Sequence, residues 1–138
     1  MFEDEWRQQV QREDFPEMHR ALCDAIGPEE TVKLAERYGG QRYKVPALEK
    51  VRGLSPEKLP GAHGKVARMI GWKAYTALCE AFGGAAVKMP CAFRVKRSVR
   101  ARMIRKAFQE GVMPREIARY YGVKCAFVFK ITGAQPPE

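Results

Sequence analysis

Apolar residues recur at helical spacing through Met18, Ala21, Leu22, Ala25 and Ile26, a stripe that stops at Gly27. Pro28 suits the first position of a second helix, in which Val32, Ala35 and Tyr38 face one way until Gly39-Gly40 ends it. The period then changes to two. From Gln41 to Val45, Tyr43 and Val45 fall on one face and Arg42 and Lys44 on the other, and Pro46 closes the run. This helix-helix-strand order returns 44 residues later: Ala25–Pro46 repeats as Met69–Pro90 without a gap. Eight of those 22 positions are identical, at Ile26/Ile70, Gly27/Gly71, Leu34/Leu78, Glu36/Glu80, Gly39/Gly83, Gly40/Gly84, Lys44/Lys88 and Pro46/Pro90. Val87 and Met89 replace Tyr43 and Val45, and His19 and His63 share the offset, as helix-start or packing residues. The copies span 18–46 and 62–90. Their connector, 47–61, overlaps a stretch from Arg52 to Gly64 that holds Pro56, Pro60 and three glycines. A five-residue strand needs a partner, so the two could pair with each other or across two chains, which would build a dimer. Residues 1–13 are polar except for Phe2, Trp6 and Val10, whose spacing of four fits either a helix docked through one side or a flexible tail.

A different pattern occupies 91–133, followed by a tail at 134–138. Val99, Met103, Ala107 and Phe108 recur at helical spacing before Gly111, and Pro114 opens the next helix. Val112 and Ile117 have the spacing of a hydrophobic staple, Glu116 stands at the capping-box position, and Met113 is a poor cap because it offers no oxygen. Ile117, Ala118 and Tyr121 form the apolar face. Gly122 can take the positive φ of a tight turn. Val123, Val128 and Ile131 then point inward. A small residue, a glycine four later, and apolar residues one, six and nine beyond it make a helix-turn-helix pattern; an ordinary three-helix bundle does not demand Ala118 and Gly122 together. The recognition helix is expected over about Lys124 to Thr132, with Ala126, Phe129 and Lys130 turned toward a groove. Ala126 and Phe129 could touch a thymine methyl, and Lys130 a guanine edge or a phosphate. Arg, Asn and Gln are absent from this surface. Phe127 sits at the edge of the buried face and could pack inside the protein. Arg115 and Arg119 are suited to phosphates.

Charge sharpens this reading. The chain carries +9, yet residues 1–90 hold fourteen basic and thirteen acidic residues, whereas 91–133 hold eleven basic residues against Glu110 and Glu116. Basic charge gathered on one segment draws a polyanion by counterion release, so double-stranded DNA is the expected partner, with Arg97, Arg100 and Cys125 joining the contact set. Enzymatic chemistry is not expected. Only two histidines exist, neither has a catalytic neighbour, and no Lys-Ser or Lys-Thr follows the double glycines as a phosphate loop requires. Cys23, Cys79, Cys91 and Cys125 lack metal-ligand spacing and read as reduced, part-buried thiols, so no metal or cofactor is expected. No run of 18 apolar residues and no signal-peptide pattern occurs, so the expectation is a cytoplasmic protein without a membrane partner. At 138 residues the chain can bury one modest core, with a small second one for the C-terminal module.

The tandem units YGGQRYKVP and AFGGAAVKMP, followed by IRKAFQEGVMPREIARYYGV, resemble the Mor family of phage middle- and late-operon transcription activators. The resemblance runs from about Met18 to Gly133. It implies a mostly α fold with short β-strands, an intertwined helix-helix-strand dimerisation region and a C-terminal helix-turn-helix. It also implies a homodimer on a dyad site beside a promoter, working with bacterial RNA polymerase in the host cell. Tyr43, Val45, Val87 and Met89 then become dimerisation-strand candidates, and Arg115, Arg119, Lys124, Ala126, Phe129 and Lys130 DNA contacts. The run KCAFVFKIT departs from the family, which usually has Ser or Thr at position 124 and polar, Arg-rich residues across Cys125 to Lys130. Alternatives to an activator are a repressor, a phage DNA-packaging subunit, or a protein-interaction module using the apolar helix Cys125–Lys130.

Overall fold

Each break in the apolar pattern ends a helix in the computed structural model, which describes residues 2–133. In chain order the helices are α1 (Phe2–Glu5), α2 (Glu17–Ile26), α3 (Pro28–Tyr38), α4 (Leu48–Val51), α5 (Gly61–Ile70), α6 (Trp72–Phe82), α7 (Ala92–Gln109), α8 (Pro114–Tyr121) and α9 (Cys125–Thr132). Short 3₁₀ turns cover Trp6–Gln9, Arg12–Asp14 and Pro56–Lys58. Strands β1 (Arg42–Lys44) and β2 (Ala86–Lys88) form a two-stranded antiparallel sheet, so the fold is mostly α with short strands, as expected. The chain divides into two compact units, Val10–Val95 and Met1–Gln9 with Lys96–Glu138.

The larger unit holds both copies. Every element recurs at the 44-residue offset: α2 with α5, α3 with α6, β1 with β2. Gly27 and Gly71 end the first helix of each copy at φ 94° and 91°, with their N–H groups on Cys23 O and Ala67 O. The double glycines have two separate causes. A Cβ at Gly39 would lie 2.5 Å from Ala35 O and 3.3 Å from Pro90 O, and one at Gly83 would lie 2.4 Å from Cys79 O and 3.2 Å from Ala47 Cα, so the first glycine of each pair is there for space. Gly40 and Gly84 have φ of 77° and 87°, a conformation costly for residues with a Cβ.

Beyond the glycines the two strands meet, with Tyr43 directly opposite Val87. Regular strand is shorter than the five residues expected, yet the ladder continues on both sides. Gly40 N–H donates to Met89 O and Met89 N–H to Gln41 O; at the other end Gly84 N–H donates to Val45 O and Val45 N–H to Ala85 O. The pairing left open by the sequence is therefore made within one chain. Val45 and Met89 are fully buried beneath it, in a core with Leu22, Ile26, Leu34, Val66, Ile70, Tyr75 and Leu78. Helix α2 packs on α6 and α5 on α3, so the first helix of each copy lies against the second helix of the other. The connector is more than a spacer: α4 and the 3₁₀ turn that follows carry Val51 and Leu59 into the same core. His19 and His63 each occupy the third position of their helix.

Candidate nucleic-acid interface

In the smaller unit, α8 follows from a strong amphipathic pattern. Pro114 is its first residue, Ile117, Ala118 and Tyr121 are buried, and Arg115, Glu116, Arg119 and Tyr120 are exposed. Met113 makes no side-chain cap, as its chemistry requires. Val112 is exposed, so it does not close the staple that its spacing suggested. Gly122 is left-handed at φ 68°, ψ 35°, which brings Val123 N–H back to Ala118 O at 3.0 Å and satisfies an orphan helix carbonyl. Three residues later α9 begins and packs against α8.

Val128 sets the orientation of α9: it is fully buried. At 3.6 residues per turn, positions two before and two after it lie nearly opposite, and Ala126 and Lys130 are indeed exposed. Lys124, at the N-cap, and Cys125 are exposed as well. Phe129 was expected to face outward and is instead half-buried, because one residue past Val128 is only about a quarter turn round the helix. Phe127 is half-buried on the other side, with the Arg100 guanidinium 5.3 Å over its ring. Arg100 is thus drawn into cation–π packing inside the unit, and its Nε has no hydrogen-bond partner. Arg97 is exposed on the same long helix, as are Arg105 and Lys106, which the pattern had not singled out. The exposed surface of α8 and α9 therefore presents Arg115, Arg119, Lys124, Cys125, Ala126 and Lys130.

The N-terminal segment braces this unit. Phe2 and Trp6 are buried, and the Phe2 ring lies 5.2 Å from that of Tyr121. Lys96 pairs with Glu3, Arg102 donates to Gln9 O, and the Tyr120 hydroxyl donates to the Glu5 carboxylate. That bond holds Glu5 below the usual carboxylate range and pushes the Tyr120 hydroxyl up to about 12. Of the two readings that the spacing of Phe2 and Trp6 allowed, the docked segment holds; Glu3 and Glu5 beside them, facing a basic module, are the signal for where it docks.

Elsewhere, the larger unit holds a part-buried polar trio. The Tyr43 hydroxyl lies 2.7 Å from His63 Nδ1 and 2.8 Å from the Tyr75 hydroxyl. Burial first, then the Tyr75 bond, raises the Tyr43 pKa, and burial raises that of Tyr75, so both hydroxyls keep their protons. The four cysteines are free, Cys23 and Cys79 buried and Cys91 and Cys125 exposed. No helix among the described residues is long and apolar enough to cross a membrane.

No curated protein and no solved structure matches the chain. A family match does exist, and it begins in the connector, runs through the second copy and takes in α7 to α9. Residues 57–136, more than half of the chain, match the Mor transcription activator family, and the chain belongs to that family.

Proposed function

We propose that this protein is a sequence-specific DNA-binding activator of phage or prophage genes, acting beside a promoter with bacterial RNA polymerase in the cytoplasm of the host. The observation that carries the reading is the pair α8–α9. A left-handed glycine closes the turn, fully buried Val128 fixes the second helix, and Ala126 and Lys130 are exposed opposite it in the most basic part of the chain. Arg115 and Arg119 hold phosphates, and Ala126 and Lys130 meet base edges. Cys125, Lys124 and Arg97 flank that surface. Phe129 contributes its exposed edge, and Arg100 acts by positioning Phe127 beneath the helix. The Arg100–Phe127 packing also weighs against a protein-binding module, since it covers part of the apolar helix Cys125–Lys130. Because β1 and β2 already pair inside one chain, a homodimer on a dyad site would need either another surface or an exchange of the copies between two chains.

The test is a random-pool DNA selection followed by titration of the selected and a scrambled duplex at several salt concentrations. Arg115→Ala and Arg119→Ala weaken binding to both duplexes alike and lower the salt slope by about one unit each. Lys130→Ala narrows the preference for the selected duplex by about 1–3 kcal/mol if it reads a base. Affinity without salt dependence would sink the reading. Transcription by bacterial RNA polymerase at the selected site, with and without the protein, separates an activator from a repressor.

A further inference from the structure

We infer that the two copies form a pair built into one chain, so the protein is a monomer that takes a single, non-palindromic DNA half-site. The half-site rests on the DNA-binding reading above; the pairing does not. Three observations converge on it. The ladder is centred on equivalent residues: Tyr43 faces Val87, and each bond on one side of that centre has its 44-residue counterpart on the other, Gly40 N–H to Met89 O matching Gly84 N–H to Val45 O. Such an arrangement is a two-fold interface made from one polypeptide.

The second observation is that the two sides have diverged as unlike partners. The trio takes Tyr43 from the first copy and His63 and Tyr75 from the second, so pairing like with like cannot assemble it. At the equivalent site His19 stands beside Val87 and Lys88, its Nδ1 has no partner, and a cleft of about 130 Å³ opens there among Met18, His19, Leu22, Phe82, Val87 and Lys88. Two first copies paired in this register would also set Arg42 against Lys44 twice, whereas here one like-charged pair, Arg42 with Lys88, remains and Lys44 faces Ala86. The third is the connector. Val51 and Leu59 lie in the core that the copies share, so the segment joining them is part of the closed unit. The family match itself starts at residue 57 and leaves the first copy outside, as an added partner would be. With one α8–α9 pair among the described residues, a closed chain presents one reading helix, and a lone helix-turn-helix covers one half-site.

Light scattering on the full chain reads the mass of one chain, 15.7 kDa, from one to one hundred micromolar, with a thermal midpoint that does not move with concentration. Twice that mass overturns the inference. Because a swapped pair would keep every contact, linkage is read directly. Lys44→Cys with Ala86→Cys places two exposed thiols directly opposite each other, in a Cys91→Ser, Cys125→Ser background. Mild oxidation gives one disulfide within the chain; a disulfide between chains, or none, overturns the pairing. Native mass spectrometry with the selected duplex shows one chain per duplex, and two chains on an inverted repeat overturn the half-site. A monomeric, internally linked chain that binds no duplex rejects the DNA-binding reading and the half-site with it, while the pairing stands on its own measurements.

Discussion

The two copies of the helix-helix-strand unit follow one backbone and carry different chemistry. Their helices have the same lengths, their glycines closely similar dihedral angles, and their strands the same bonds in mirrored order. At the strand centre they part. The second copy's His63 is satisfied by Tyr43, whereas the first copy's His19 is buried against the Lys88 backbone with Nδ1 unpaired. What repeats is what the backbone demands: helix stops, close approach and apolar contact. What differs is side-chain pairing, which has to suit only the residue across the sheet.

Leu34 and Leu78 are equivalent and both fully buried in the shared core. Leu34→Ala and Leu78→Ala each cost about 2–5 kcal/mol by urea denaturation. Similar costs uphold the equivalence, and a several-fold difference breaks it. Gly39→Ala and Gly83→Ala come next, since each new Cβ must push a backbone carbonyl away, at about 1–3 kcal/mol in overpacking strain. An exposed helix-to-turn position with free space would show almost no loss, so a silent Gly83→Ala would break the spatial argument. Tyr43→Phe strands His63 Nδ1 and the Tyr75 hydroxyl and costs about 1–3 kcal/mol. Because the first copy has no such trio, Val87→Ala loses only apolar contact, and its effect is the smaller one.

The smallest effect is a pH dependence that belongs to one copy. Burial, opposed in part by a hydrogen bond to the Lys88 backbone, lowers the His19 pKa below its unfolded value near 6.5. The unfolded chain therefore takes up the proton first. Stability from neutral His19 is complete above about 6.5, declines as the pH falls below that value, and is gone once the pH passes the lower folded value. His19→Leu flattens that stretch of the curve, measured as urea midpoint against pH; an unchanged curve would mean that His19 is not kept neutral.

What the sequence made legible was local. Gly27, Gly71 and the double glycines marked helix ends, Pro114 and Gly122 bounded α8, and Val128 oriented α9, because each is governed by neighbours within about one turn. The misses were long-range or geometric. Nothing in 47–61 has enough length or period to announce α4, so Val51 and Leu59 in the core could not be read. Partner choice for β1 is set by a residue 44 positions away, and alternation within a strand says nothing about it. Phe129 shows the limit of face assignment: 100° from the buried side is neither in nor out. Arg100 entered the DNA-contact set by charge alone, and its place over the Phe127 ring is a contact that charge does not announce.

One consequence concerns the order of synthesis. The smaller unit joins Phe2 to a helix that ends 119 residues later, at Tyr121. A ribosome delivers the chain from the N-terminus, and domains close as their residues emerge. The paired copies can therefore fold while α8 and α9 are still unmade, with two large apolar side chains, Phe2 and Trp6, waiting in water for their seat. Premature termination between Val95 and Tyr121 would leave a well-packed pair with an unclaimed aromatic arm, a state that invites capture by chaperones or self-association. The α8–α9 pair is complete only when the last helix arrives to pack on α8, the helix that the first residues made hold in place.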